Sequence, residues 1–580
     1  MQLPIVNELN TSREMVEVFK GYNHNLRTGE GEFYDMKNLT SSYYPVLSPR
    51  DARGTYATPT RPGGLIAKDA LCYVDGADFV VGDKRVAMGL STKDIPKTLV
   101  SMGAYVIIMP DKMYINTQNL SDYGKIEASV ETKTEVSFEL CGLDGTAYIE
   151  TTISDAAPTN PANMALWIDT SSTPHRLKQY SEQSAVWTTI ATTYIKISAD
   201  GIGKLFEVYD SVDISGIKNE QLSDLNGNMI VWGKDDNYII VVGMLDITAT
   251  QKEPITVKRS MPTMDFIIES ENRLWGCRYG MNANGDIVNE IYASKLGDFK
   301  NWTCYMGLST DSYAVSVGTD GAFTGAITHL GYPIFFKENC MHKIYGNYPA
   351  NYQITTTTCR GVQKGSHKSL AIVNEVLYYK ARKAICAYDG SLPQEISYNL
   401  GDIPYSDATA GALGNKYYIS MLDGTDDEWK FFVYDAKTGL WHKEDNTRAD
   451  DFCSFKGDLY FIENSTGNIK TVGGSGTPDT DPIEWMAETG IIGTDSPDKK
   501  TISRINVRMS LDTDSIAVIY IQYDSCGEWE YALSVQGSKL RSMSIPIKPK
   551  RCDHLRLRIE GQGECKLYSI TKTIMQGSDT

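Results

Sequence analysis

Nowhere in these 580 residues do about eighteen apolar side chains run together, so no segment reads as a bilayer-spanning helix. The opening "MQLPIVNELNTSREMVEVF" has no basic segment followed by an apolar one, and neither secretion nor a membrane span is expected. Cysteine never pairs as C-x-x-C: the eleven cysteines stand singly from Cys72 to Cys565. An odd, scattered set excludes a disulfide framework and a zinc ribbon, and points to buried thiols made in a reducing cytoplasm. Long basic runs are missing too. Lys and Arg total 56 against 73 Asp and Glu, a net charge of −17, which excludes an outer surface that grips nucleic-acid phosphates. It allows a negative wall that DNA slides past. The signatures G-x-x-x-x-G-K-[ST], H-E-x-x-H and G-x-S-x-G are all absent, and with them the obvious enzyme motifs. Helical periodicity is almost absent, the main exception lying near "REMVEVF".

What is present is alternation. Period-two apolar runs bounded by Gly, Asn or Asp recur along the chain, and 35 tyrosines and 49 glycines suit many strands and turns. Hairpin units recur at 68–88, 102–116, 269–280 with 291–302, 329–346, 373–390, 413–422 with 431–445, and 455–472. From residue 260 onward their spacing is about 35 to 50 residues, the period of a four-stranded propeller blade. The expected fold is all-β: a propeller of six to seven blades with an inserted β-domain and a C-terminal β-sandwich. In "GDFKNW" and "DAKTGLW" a polar turn closes a hairpin, and Trp302 or Trp441 is expected to pack into the next blade.

This divides the chain into an extended arm at 1–54, tied onto the propeller, and first blades at 55–124. An inserted β-domain follows at 125–220, then the remaining blades at 221–472. A flexible linker, "GGSGTPDTDP", occupies 473–482, and the sandwich takes 483–580.

Several passages resemble the propeller proteins of short-tailed bacteriophages: Asn38 to Arg50 in the arm, "IYASKLGDFKNW", "GYPIFFKENCMHKIYG", "AYDG" at 387–390, "PDKKTISRINVRMSL" and "PKRCDHLRLRIEGQG". Such chains are tail-hub or nozzle proteins, also called packaged-DNA stabilisation proteins. The resemblance implies a structural virion protein, made in the host bacterial cytoplasm. It implies a ring, commonly a hexamer, below the portal and adaptor, which retains packaged DNA and passes it during ejection without sequence-specific binding.

Candidate sites are few. The sialidase box S-x-D-x-G-x-x-W is not met, because Ser294 and Trp302 bracket "KLGDFKN" at the wrong spacing. His329 and His342 flank one hairpin and could meet as metal ligands, but rim or core histidines are the expected reading. Asp426, Asp427 and Glu428, and the pair Asp450 and Asp451, supply the paired carboxylates that glycosidases use, yet both runs read as solvated turns. No catalytic residue, metal or cofactor is assigned, and the chain is expected not to be an enzyme. Trp167, Tyr180 and Trp187 could form a sugar-stacking platform or a partner contact, with core packing as the alternative. An alternative function follows from them: a tail protein that binds a receptor or glycan through the 125–220 module. Arg504, Arg508, Arg556 and Arg558 concentrate positive charge near the C-terminus and suit contact with another subunit, the adaptor or DNA. Arg556 and Arg558 share one strand face, opposite Leu555 and Leu557.

Overall fold

A computed structural model describes residues 11–93, 96–282, 285–493, 501–538 and 542–575. The first ten residues of the expected arm and the "PDKK" passage at 497–500 lie outside them. Seven antiparallel meanders of four strands form the body of the chain, at 62–87, 98–125, 266–316, 323–358, 371–395 and 405–443, with the seventh beginning at 449. We number them blades 1 to 7. Their first strands adjoin in cyclic order, except that between blades 4 and 5 a short 3-10 turn, His367–Ser369, supplies the contact. Blade 7 meets blade 1, so the ring closes.

Continuous apolar runs, rather than alternation, mark the second strands of blades 4, 5 and 6. In blade 4, Ile334, Phe335, Phe336, Met341 and Ile344 are all buried, because a propeller blade is covered on both faces by its neighbours. The tryptophans behave differently from expectation. Trp302 is buried against Val100, Met102 and Met109 of blade 2, and Phe299 beside it lies 5.0 Å from the Tyr105 ring. Trp441 donates its indole N–H to the Ile396 carbonyl at 2.7 Å, just past blade 5. Both therefore pack onto the preceding blade rather than the next, Trp302 from the loop before the outermost strand of blade 3 and Trp441 from the outermost strand of blade 6.

Closure sets the rest of the layout. Blade 7 has only three strands of its own, Ala449–Phe455, Asp458–Glu463 and Ile469–Thr471; its fourth is Gly54–Ala57 from the N-terminal region. Arg53 precedes that strand and is buried, with its guanidinium 2.8 Å from Glu444 and 2.9 Å from Asp445 and stacked 4.8 Å over Phe431. The stretch expected to be a flexible linker is held instead. Thr477–Pro478 pairs beside Gly54–Ala57, and the Asp458 carboxylate accepts the N–H groups of Gly473 and Ser475.

The inserted domain is larger than alternation alone suggested. Its expected end at 220 falls inside it, because Gly227–Ile230, Tyr238–Val242, Ala249–Gln251 and Thr256–Arg259 pair with strands from 128–215. Blades therefore resume at 266, not 221. The C-terminal region forms two facing sheets, and both take strands from the arm. Thr11–Val16, the stretch with apparent helical period, is a strand paired with Cys565–Met575. Glu32–Lys37 pairs with Glu484–Thr489. The arm is thus woven into the sandwich as well as tied to the propeller, where Asn38 donates its N–H to the Glu444 carbonyl at 2.7 Å. One apolar core runs through arm, sandwich and blades 5 and 6, joining Phe33, Trp441, Trp485 and Ile559.

Replacing Arg53 by Ala leaves Glu444 and Asp445 buried without a full partner. The expected loss is about 3 to 5 kcal/mol, read as a lowered unfolding midpoint in denaturant. Acid sensitivity has a separate source. Burial pushes His342 down to about 4 and His442 to about 3, from the ordinary 6.5. As pH falls below 6.5 the unfolded chain binds protons that the folded chain refuses, so stability drops until those lower values are reached. The slope is on the order of 1 kcal/mol per pH unit for each histidine. Thermal melting between about pH 7 and pH 5 should show it, and His442→Asn should flatten it.

Candidate functional site

At the face where the first strands of the blades begin lies a cavity of about 550 Å³. It draws Pro62 and Gly63 from blade 1, His367 and Lys368 from the 3-10 turn, Asp407 and Trp429 from blade 6, and Asp450 and Asp451 from blade 7. The turn is the reason these blades share a site. Its His367 ring lies 5.3 Å from Phe266 of blade 3, and its Ser369 carbonyl accepts the Tyr417 hydroxyl of blade 6 at 2.8 Å. Its Lys368 ammonium stands 3.3 Å from the Asp451 carboxylate of blade 7. One three-residue turn reaching blades 3, 6 and 7 places it on the propeller axis.

Two of the three aspartates are committed to structure. Asp451 accepts the Leu65 N–H of blade 1 at 3.2 Å as well as pairing with Lys368, so it clips blade 7 to blade 1. Asp450 takes the Arg448 guanidinium at 3.0 Å and the Asn464 amide at 2.7 Å. Arg448 in turn lies 4.7 Å over one face of the Trp429 ring. Asp407 differs. It is exposed, its described partner is the hydroxyl of its own neighbour Ser406 at 3.1 Å, and it stands at φ +49° in a bulge of the blade 6 inner strand. A non-glycine residue there is strained, and such strain persists where surrounding structure or function holds it. Gly365 makes room for it: a Cβ on Gly365, itself at φ +87°, would come within 2.7 Å of an Asp407 carboxylate oxygen.

Burial first, and Lys368 second, push His367 down to about 4, so its imidazole is neutral at physiological pH. The mouth therefore offers an available carboxylate, a neutral imidazole and an indole within one cavity. Such a set can accept hydrogen bonds from hydroxyl groups and pack against an apolar ring face.

The residues singled out from sequence fall elsewhere, apart from Asp450 and Asp451. Trp167 is buried in the four-stranded sheet at 152–189 of the inserted domain, with its indole N–H on the Ser154 carbonyl at 3.1 Å and the Lys178 ammonium 4.7 Å over its ring. Trp187 meets Trp167 edge-on at 5.4 Å and Tyr180 tilted at 5.3 Å, so the three rings make a folded cluster rather than a flat platform. Arg556 and Arg558 both pair with Glu488, at 3.0 and 2.7 Å, and lie 4.2 Å over Tyr34 and Trp529. Arg504 and Arg508 are exposed on the other sheet. His329 donates its Nε2–H to the Glu375 carbonyl, 2.6 Å away, while His342 sits between the Thr319 and Thr356 hydroxyls. No cluster of metal-ligating residues occurs among the described residues. Asp426 and Glu428 are bridged by Lys430 at an exposed hairpin tip. Asp407, His367 and Trp429 carried no sequence motif; only their meeting on the axis marks them.

Fold and mouth together define a β-propeller with an axial cavity. The sequence matches no family model and no curated protein. Among solved structures, the chain aligns with an exo-β-1,3-galactanase from Phanerochaete chrysosporium at TM-score 0.22 and 8% identity, covering 53% of this chain and 94% of that one. It aligns with a sialidase from Trypanosoma rangeli at TM-score 0.22 and 9% identity, covering 97% and 95%. A family 43 arabinoxylan arabinofuranohydrolase from Bacillus subtilis gives TM-score 0.17 and 10% identity over 52% and 94%. These neighbours are carbohydrate-active enzymes, so the expectation that this chain is not an enzyme is corrected. At such scores the likeness assigns no reaction or residue to this chain.

Strain at Asp407 gives a test of whether the residue is kept for a purpose. Asp407→Gly should raise the unfolding midpoint by up to about 1 kcal/mol in equivalent stability, since glycine adopts positive φ without a Cβ penalty. An unchanged or lowered midpoint would mean that the Asp407 carboxylate is itself part of the structural frame.

Proposed function

We propose that this chain is a glycan-binding propeller protein carried on a phage tail, and that its ligand sits in the axial mouth rather than in the inserted domain. One observation carries the reading: the 3-10 turn and blade 6 bring His367, Asp407 and Trp429 into a single 550 Å³ cavity, with Asp407 held in a strained backbone conformation. A carboxylate and a neutral imidazole suit sugar hydroxyls, and the indole suits a sugar's C–H face. The phage setting rests on the resemblance in the arm, hairpin and C-terminal passages. A glycan array followed by calorimetry on the hit tests the proposal. Asp407→Ala and Trp429→Ala should each weaken binding about tenfold or more, the effect of losing roughly 1.4 kcal/mol. The Trp187→Ala variant should bind as the parent does. Binding lost only in Trp187→Ala would return the site to the inserted domain.

A second reading, the ring below portal and adaptor that retains and passes DNA, is favoured by the exposed Arg504 and Arg508 on an otherwise acidic chain of net charge −17. Mass photometry of the chain, alone and with the portal–adaptor complex, tests it. A ring of about six copies that weakens in an Arg504→Glu, Arg508→Glu double variant supports it, since interface charge reversal costs several kcal/mol. A monomer indifferent to the complex would sink it.

A further inference from the structure

The C-terminal sandwich carries a constellation that the axial site does not use. The Ser525 Oγ lies 2.6 Å from His554 Nε2, and His554 Nδ1 lies 3.0 Å from the Asp553 carboxylate. The ionised carboxylate can only accept, so Nδ1 carries the proton and Nε2 is left to accept the Ser525 hydroxyl. That is the ordering in which an imidazole serves as base to a serine and a carboxylate fixes the imidazole's tautomer.

The backbone holds this arrangement in place. Ser525 stands at φ +51°, after Asp524 at φ +49° and before Gly527 at φ +83°, in a turn closed by the Cys526 N–H on the Tyr523 carbonyl at 3.0 Å. Two consecutive non-glycine residues in the left-handed region are strained. The turn is locked to the facing segment from both sides. The Asp524 carboxylate accepts the N–H of Asp553 at 2.7 Å and of His554 at 3.3 Å, and the Asp524 N–H donates to the His554 carbonyl at 3.0 Å. These three bonds set the imidazole between Ser525 and Asp553. The N–H groups of Ser525 and Gly527 meet no acceptor among the described residues, so both are left to donate to a bound oxyanion.

We propose that Ser525, His554 and Asp553 form a second site that hydrolyses short-acyl esters. Ser525 Oγ bonds to the ester carbonyl carbon as its proton passes to His554 Nε2. The ester C–O bond then breaks, the departing alkoxide takes that proton and leaves as an alcohol, and an acyl-serine remains. Water attacks the acyl-serine, giving its proton to His554 as the new C–O bond forms. Breaking the serine ester releases the carboxylic acid, and His554 returns the proton to Ser525. Ester and water thus yield acid and alcohol with no further reactant. Asp553 is a positioning residue. The substrate class follows from exposure: Ser525 stands open to solvent in a turn whose residues 524–528 are all exposed. The fit is a small acyl group, such as acetyl, projecting from a polymer. This site is independent of the axial mouth.

The full chain, treated with a fluorophosphonate probe and peptide-mapped, should carry the adduct on Ser525, with neither the adjacent exposed Cys526 nor another serine modified. Hydrolysis of p-nitrophenyl acetate should fall by about 100-fold or more in Ser525→Ala and in His554→Gln, the range of a lost nucleophile or base. Asp553→Asn should slow it and Asp553→Glu restore part of the rate, a rescue that a merely structural carboxylate would not give. Because the mapping uses the parent protein, a variant that fails to fold does not decide the result. An adduct elsewhere, an unreactive parent, or a His554→Gln variant as fast as the parent would each overturn the assignment.

Discussion

Ring closure is the constraint on which the rest of the molecule depends. A propeller whose last blade lacks a strand leaves an open edge, and here the missing strand, Gly54–Ala57, comes from near the other end of the chain. The buried Arg53 pair with Glu444 and Asp445 anchors that strand as it enters. Once it is in place, the residues before it must run over blades 5 and 6, and those after blade 7 must leave from the same side. The two ends then meet, and the strands of the arm complete both sheets of the sandwich.

The same closure creates the axial mouth. Seven inner strands around an axis leave a space that they do not fill, and the chain between blades 4 and 5 places His367–Ser369 there. Lys368 then satisfies Asp451, which also holds blade 1, so one turn links the closing seam to the cavity floor. Among the described residues, Asp407 is the member of this group whose carboxylate pairs with no other blade, and it is the one in a strained conformation. At the mouth, Asp450 and Asp451 hold the frame, and Asp407 faces the space.

Legibility differed by element. The blades could be read because hairpins recur at a spacing of about 35 to 50 residues, and the alternation of Leu555 and Leu557 with Arg556 and Arg558 was visible and is realised, both leucines being fully buried. The inserted domain's end was misplaced because its last strands, at 227–259, alternate just as blade strands do; pairing partners, not pattern, distinguish them. The "REMVEVF" passage fits a helical period over so few residues that sheet pairing overrides it. Trp167 and Trp187 stood out by residue type alone, whereas their packing depends on a Lys178 ammonium and a Ser154 carbonyl brought in by neighbouring strands.

By itself the sequence determined the all-β class, the blade period, the absence of long apolar spans and the acidic surface, because each is a property of composition or of neighbours along the chain. Tertiary structure alone decided which strand closes blade 7, that the arm belongs to the sandwich, and that His367, Asp407 and Trp429 share one cavity. The reason is physical: these pairings join residues tens to hundreds of positions apart, and backbone hydrogen bonds between strands leave no trace in side-chain spacing. The meeting of Ser525 with His554 is of the same kind, set by which two loops a sheet brings side by side.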